Sequence, residues 1–220
     1  MSKQFLLQLS NVGLTDPLSK SQLLKEISFN LITGERLVLI GSSGSGKTTL
    51  LRLINRLQEP STGKILFCSQ PLEKIPIIDL RQQIVLVPQE PKLLGMSVNE
   101  ALSYALKLQN ISKAEINQRL QKWKSRLSIP NQWLERYESE LSLGQRQIIG
   151  ITRGLIIEPK ILLLDEPTSS LDSLKANQII KLLTNITQYT QTAIVIVSHD
   201  LEVVKSFSKY ILKLEQGKIK

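Results

Sequence analysis

The stretch that most restricts this chain is 37–57. Four apolar residues, Leu37–Ile40, run directly into a loop with glycine at 41, 44 and 46. The loop then leads into Leu50, Leu51, Ile54 and Leu57, spaced to bury one face of a helix. GSSGSGKTT at 41–49 fits G-x-x-x-x-G-K-[ST] between a strand and a helix, the setting this motif requires. Gly41, Gly44 and Gly46 let the backbone curl so that consecutive N–H groups converge on an anion. The helix that starts near Gly46 adds its positive end. Lys47 offers a point charge to β- and γ-phosphates, and the Thr48 hydroxyl is suited to Mg²⁺. The expected phosphate-binding set is therefore Gly41, Ser42, Gly44, Ser45, Gly46, Lys47, Thr48 and Thr49. The loop alone reads as a nucleoside triphosphate site. No N-K-x-D or T-K-x-D guanine reader follows it, which argues against a GTPase and leaves a kinase or an ATPase.

Later residues bear on that choice. Ile161–Leu164 is a short apolar run that ends in Asp165-Glu166-Pro167. A buried strand with this ending delivers adjacent carboxylates to the sheet edge where α/β proteins bind ligands. Asp165 is suited to hold Mg²⁺ through water and Glu166 to polarise an attacking water; a kinase has no need of the second carboxylate. Elsewhere Ile27, Phe29 and Leu31 alternate with Ser28 and Asn30, and Ile65–Phe67, Ile84–Val87 and Ala193–Val197 read as further strands. Residues 97–128 and 142–157 read as helix, as does 172–189, and Tyr210–Ile219 reads as a small hairpin turning at Glu215-Gln216-Gly217. Apolar strands alternating with helices predict a mainly parallel α/β sheet.

Composition limits the setting. The longest apolar runs fall well short of the ~18 residues that cross a bilayer. MSKQFLLQLS has no apolar core followed by a cleavage site, so no secretory leader is expected. One cysteine, Cys68, rules out an internal disulfide and fits a reducing compartment. The net charge is +9, densest over Lys113–Arg126, with five cations and one Glu. No interleaved aromatics accompany them, so a solvated face is expected there and no nucleic acid partner.

In order along the chain stand the phosphate loop, Gln89 in VPQEP, Leu141-Ser142-Leu143-Gly144-Gln145, the Asp-Glu strand, Ser170-Leu171-Asp172, and His199 after an apolar strand. With these motifs the whole chain resembles the nucleotide-binding subunit of ATP-binding cassette (ABC) transporters. The resemblance implies a P-loop NTPase (RecA-like) core with an N-terminal antiparallel β subdomain and an inserted α-helical subdomain at about 90–155, all within one domain of 1–220. It implies ATP and Mg²⁺, with Glu166, His199 and Gln89 catalytic, Thr48, Gln89 and Asp165 at the metal, and Ser142, Gly144, Gln145 and Asp172 on the nucleotide. The last four would act across a head-to-tail dimer, expected to be a homodimer, that sandwiches ATP. Polytopic membrane subunits would complete the machine, with this chain peripheral on the cytoplasmic face of the inner membrane.

Two positions depart from the family. Leu143 stands where a glycine is usual, so altered packing is expected there. Val12–Leu18 lacks the usual adenine-stacking aromatic and leaves Leu14 or Leu18 as an aliphatic surface. Residues 87–102, VPQEPKLLGMSVNEAL, resemble exporter-type subunits more than sugar importers. The competing reading is a soluble ABC-type ATPase in DNA repair, translation or iron–sulfur assembly.

Overall fold

The computed structural model describes residues 5–220, with the backbone only at 201 and 202. Residues 1–4, part of the stretch read above for a leader, lie outside the described residues. Two runs of apolar residues set the centre of the molecule. Ile161–Asp165 (β7) and Ala193–Val197 (β8) are buried along their whole length, and they pair in parallel. Strands buried on both faces need helices or a second sheet on each side, and alternation decides which side chain goes where. Leu162, Leu164, Ile194 and Ile196 join one core; Ile161, Leu163, Val195 and Val197 join the other.

Chain order supplies the covering layers. Leu7–Thr15 (β1) and Gln22–Leu31 (β2) pair antiparallel, and Arg36–Ile40 (β3) enters the main sheet. Lys47–Ile54 (α1) follows the phosphate loop. Thr62–Phe67 (β4) and Gln70–Pro71 (β5) complete a four-stranded sheet of order β2-β1-β4-β5. Ile77–Gln83 (α2) leads to Ile84–Val87 (β6). Three helices, Val98–Leu108 (α3), Lys113–Arg126 (α4) and Leu143–Leu155 (α5), lie between β6 and β7 in the chain. Ser173–Thr190 (α6), Leu201–Phe207 (α7), Tyr210–Glu215 (β9) and Lys218–Ile219 (β10) close it. The main sheet runs β10-β9-β3-β8-β7-β6, parallel except for the terminal hairpin. The expected α/β fold is present, with the antiparallel sheet and α1 on one face and most helices on the other.

One sequence expectation needs correction. Periodicity placed Leu57 on the buried face of the first helix, but it is half exposed and the helix stops at Ile54. The side chain of Asn55 donates to the Ile84 carbonyl, and Arg56 turns left-handed at φ 54°. A buried hydrogen bond to a neighbouring strand ends the helix before Pro60 can. The basic helix α4 behaves as expected of a solvated face. Arg119 pairs with Glu115 and Glu158, Lys122 pairs with Glu158, and Lys122 and Arg126 lie against the Trp123 ring.

Candidate nucleotide site

β3 sits between β8 and β9, so its C-terminal end opens at the middle of the sheet edge. The loop that leaves it is tight. A Cβ at Gly41 would collide with the Leu214 carbonyl oxygen, and Gly46, at φ 104°, caps α1 where a Cβ would press on Leu24. No side chain caps α1, so the N–H groups of its first turn stay available at the loop. Lys47 is nearly buried, and its Nζ donates to the Gly41 and Ser42 carbonyls, both at 2.8 Å. The ammonium is thus held against the loop it would serve. Ser45 is buried too, and its hydroxyl has no partner among the described residues. Thr49 is half-buried in the first turn of α1.

Thr48 points toward β7, two strands along the sheet from β3. Its Oγ1 donates to Asp165 Oδ2 at 2.8 Å, joining the helix after the loop to the end of β7. Burial pushes the Asp165 carboxyl above its ordinary range, and the neighbouring Glu166 charge adds to that, while the Thr48 hydrogen bond opposes it. Glu166 takes a left-handed φ of 48°, unusual for a residue with a Cβ, and its N–H donates to the Val197 carbonyl at 3.1 Å. That turn carries the carboxylate out of the sheet. Gln89 Nε2, beyond the end of β6, donates to Glu166 Oε2 at 3.0 Å. His199 Nδ1, beyond the end of β8, lies 3.6 Å from Glu166 Oε1. Three neighbouring parallel strands therefore deliver Gln89, Glu166 and His199 to one point beside the Thr48–Asp165 pair.

Ser142, Gly144, Gln145 and Asp172 form a second group. Ser142 caps α5: Gln145 N–H donates to its Oγ at 3.2 Å, and its own N–H donates to Gln145 Oε1 at 2.9 Å. Leu143, at the first helical position, is 52 % exposed. It forms one wall of a cleft of about 270 Å³ shared with Gln89, Glu90, Pro91, Arg146 and Ser170. Gly144 lies close to the half-exposed Leu171, whose Cδ2 would stand 2.7 Å from a Cβ there and would have to turn aside. Asp172 caps α6, accepting from the Lys175 N–H at 2.9 Å and pairing with its ammonium at 2.9 Å. Those two contacts, the backbone one first, hold the Asp172 carboxyl below its ordinary range. Among the described residues no hydrogen bond or ion pair joins this group to the phosphate loop.

Leu18 and Leu14 differ sharply. Leu14 is buried near the end of β1, while Leu18 is 92 % exposed on a turn. Asp16 Oδ1 holds that turn by accepting from the Leu18 and Ser19 N–H groups at 2.7 and 3.0 Å. Sequence reasoning missed Glu138 and Arg146. Glu138 accepts from the Leu93 N–H at 2.8 Å and lies 3.3 Å from Arg146 Nη1. Neither residue belongs to a recognisable motif, and Glu138 lies far along the chain from Leu93, so no local signal announces the pairing.

Known proteins resemble this chain in sequence and in fold. A relative of 38 % identity over 207 residues is an uncharacterized ABC transporter ATP-binding protein of Escherichia coli, matching 89 % of this chain and 38 % of its own length. A glycine betaine uptake system ATP-binding protein of the same species is 32 % identical, over 88 % of this chain and 63 % of its own length. A methionine import ATP-binding protein of Oceanobacillus iheyensis is 34 % identical, over 88 % of this chain and 57 % of its own length. The chain thus spans between about two fifths and two thirds of these relatives. Among solved structures, cbiO1 of Clostridium perfringens, part of the ABC transporter complex cbiONQ, superposes with a TM-score of 0.88 at 29 % identity, covering 99 % of this chain and 87 % of that one. The ATP-binding cassette MJ0796, a dimer in a post-hydrolysis state bound to ADP and Pi, superposes with a TM-score of 0.89 at 27 % identity, covering 97 % of this chain and 96 % of that one. The family profile described as ABC transporter matches residues 24–169, and the chain belongs to the ABC transporter family.

Proposed function

We propose that this chain is the ATP-binding and ATP-hydrolysing subunit of a transporter, working as a head-to-tail dimer beneath separate membrane subunits. The observation that carries the reading is the convergence of Gln89 and His199 on Glu166, beside the Thr48–Asp165 pair. Gly41–Lys47 would cradle the phosphates with backbone N–H groups and the Lys47 ammonium. Glu166 would take a hydrogen bond from the attacking water and orient it, with Gln89 fixing the carboxylate and His199 steering toward the γ-phosphate. Leu18, exposed on the turn ahead of the Leu23–Leu24 segment that packs on Gly46, is the aliphatic surface proposed for adenine.

The donor set fits Mg²⁺. Thr48 Oγ1 and Asp165 Oδ2 are hard oxygen donors meeting at the loop mouth, and among the described residues no cluster of three His, Cys, Asp or Glu forms a separate cage. Phosphate oxygens would complete the shell. A cation there would also favour the charged form of a carboxyl that burial otherwise disfavours. When bound, Mg²⁺ neutralises charge on the β- and γ-phosphate oxygens.

Among the described residues no hydrogen bond joins Ser142 or Gly144 to the phosphate loop of their own chain, which supports a site completed by a second copy. A helix start with a hydroxyl and free N–H groups is an anion site waiting for that partner. Cargo would be read by the membrane subunits: the relatives named for glycine betaine and for methionine stand at nearly equal identity to this chain, 32 % and 34 %. Their uptake and import names give no support to the exporter-like resemblance of residues 87–102. No helix among the described residues is long and apolar enough to cross a membrane, in keeping with a peripheral subunit on the cytoplasmic face.

Glu166→Gln tests the reading. Turnover should fall by roughly 10²–10⁴, the usual contribution of a general base, while ATP binding persists and the variant sediments as a dimer with ATP. Unchanged turnover would remove Glu166 from its role. Affinity capture of the tagged chain should bring down a polytopic membrane protein; recovery with nucleic acid alone would favour the DNA- or ribosome-associated reading instead.

A further inference from the structure

The segment between β6 and α3 carries Gln89, and it is fastened to the helix that carries Ser142. Glu138 stands just before Leu141-Ser142, in a single turn of 3₁₀ helix, Glu138–Glu140. Its Oε2 accepts from the Leu93 N–H at 2.8 Å. Its Oε1 lies 3.4 Å from Lys92 Nζ and 3.3 Å from Arg146 Nη1, so one carboxylate spans both segments. Glu90 is the other acid near Lys92, at 3.9 Å. Arg146 Nε is buried with no partner among the described residues, which leaves Glu138 as the anion that answers its charge. Farther along α5, a Cβ at Gly150 would overlap Pro91, and Arg153 Nη1 donates to the Lys92 carbonyl at 2.8 Å. Leu93 is itself 1 % exposed. Pro91, Lys92 and Leu93 are thus gripped one after another from the α5 side.

The geometry points to Glu138 as a positioning residue that locks the Gln89 loop to the Ser142 helix, so that the two move as one body during the ATP cycle. This rests on the function proposed above. Packing at Gly150 and the Arg153 contact resist sliding of the loop along α5. Among the described residues Glu138 alone holds the Leu93 backbone and Arg146 together, at the end of α5 nearest Ser142. A charged acceptor suits this task, because hydrogen bonds to an ionised carboxylate are shorter and stronger than neutral ones. Without it, Gln89 would lose its registration against Glu166, whereas Lys47 and the phosphate cradle would not be touched.

The test pairs kinetics with amide exchange in the full chain. Glu138→Ala should lower kcat for ATP by roughly tenfold to a hundredfold, the scale for a displaced active-site group, with KM for ATP within about twofold. In a Gln89→Ala background the same change should shrink to under about twofold, because both act through one contact. Hydrogen exchange at the Leu93 amide should quicken in Glu138→Ala. Glu138→Gln keeps a carbonyl acceptor, guards against loss of folding, and should keep Leu93 protected with kcat in between. Additive effects of Glu138→Ala and Gln89→Ala, unchanged Leu93 exchange, or a parallel loss of ATP affinity would each overturn the assignment. Should the wild-type chain hydrolyse ATP and Glu166→Gln not, such an outcome removes the lock alone. A wild-type chain without hydrolysis removes the proposed function and the lock together.

Discussion

Glu166 holds its carboxylate where Gln89 and His199 meet by accepting a left-handed backbone. That conformation costs a residue with a Cβ roughly 1–2 kcal/mol. Glycine would escape the cost but gives back roughly 0.5–1 kcal/mol in chain entropy. Glu166→Gly should therefore melt at the same temperature as the parent or slightly above it, while ATP turnover disappears. A clear fall in melting temperature would mean that the side chain also supports the fold. Lys47→Ala should instead abolish nucleotide binding, read by titration with a fluorescent ATP analogue, because among the described residues no other ammonium is held against the loop carbonyls. At Gly144 the nearest side chain is Leu171. Alanine there meets only the end of this half-exposed side chain, which can turn away, so denaturant melts should change by no more than about 0.5 kcal/mol.

At the element scale, two helix starts bear on the proposed site. Ser142 caps α5 through a reciprocal pair with Gln145, yet it is exposed, as the role proposed for it requires. Ser142→Ala should cost ~1 kcal/mol of stability and should weaken ATP-dependent dimer formation beyond what that loss explains. Asp172 caps α6, and its carboxyl is held below its ordinary range. A depressed folded-state pKa contributes stability above the unfolded value near 3.8, and the contribution is lost as pH falls through the lower folded value. Asp172→Asn still caps but does not titrate. Thermal melts of the two proteins should differ at neutral pH, and the difference should close in acid. A constant offset at every pH would show that the Asp172 charge does not matter to α6.

On the scale of the whole molecule, the phosphate loop and the Ser142 group are built on different parts of one chain, and no hydrogen bond or ion pair joins them among the described residues. If each active site is shared by two copies, damage in one half can be complemented by the other. Mixing Lys47→Ala chains with Ser142→Ala chains should restore ATPase activity to at most about a quarter of wild type, since half of randomly paired symmetric dimers are mixed and each has one intact site. No recovery on mixing would argue for a site complete within a single chain.

Much of this protein is determined by sequence alone. Local patterns name the loop at 41–49 and the buried strands Ile161–Leu164 and Ala193–Val197, because each is a property of residues a few positions apart. The end of α1 was not legible, because Asn55 is drawn into a bond with Ile84, a partner brought near only by the sheet. Nor were the approach of Leu171 to Gly144 and the fastening of Leu93 by Glu138. Gln89, Glu166 and His199 could be proposed one by one, but their meeting depends on β6, β7 and β8 lying side by side in parallel. Periodicity and motif spacing are short-range and survive in a string of letters; contacts between distant segments exist only after the hydrophobic strands have chosen their neighbours.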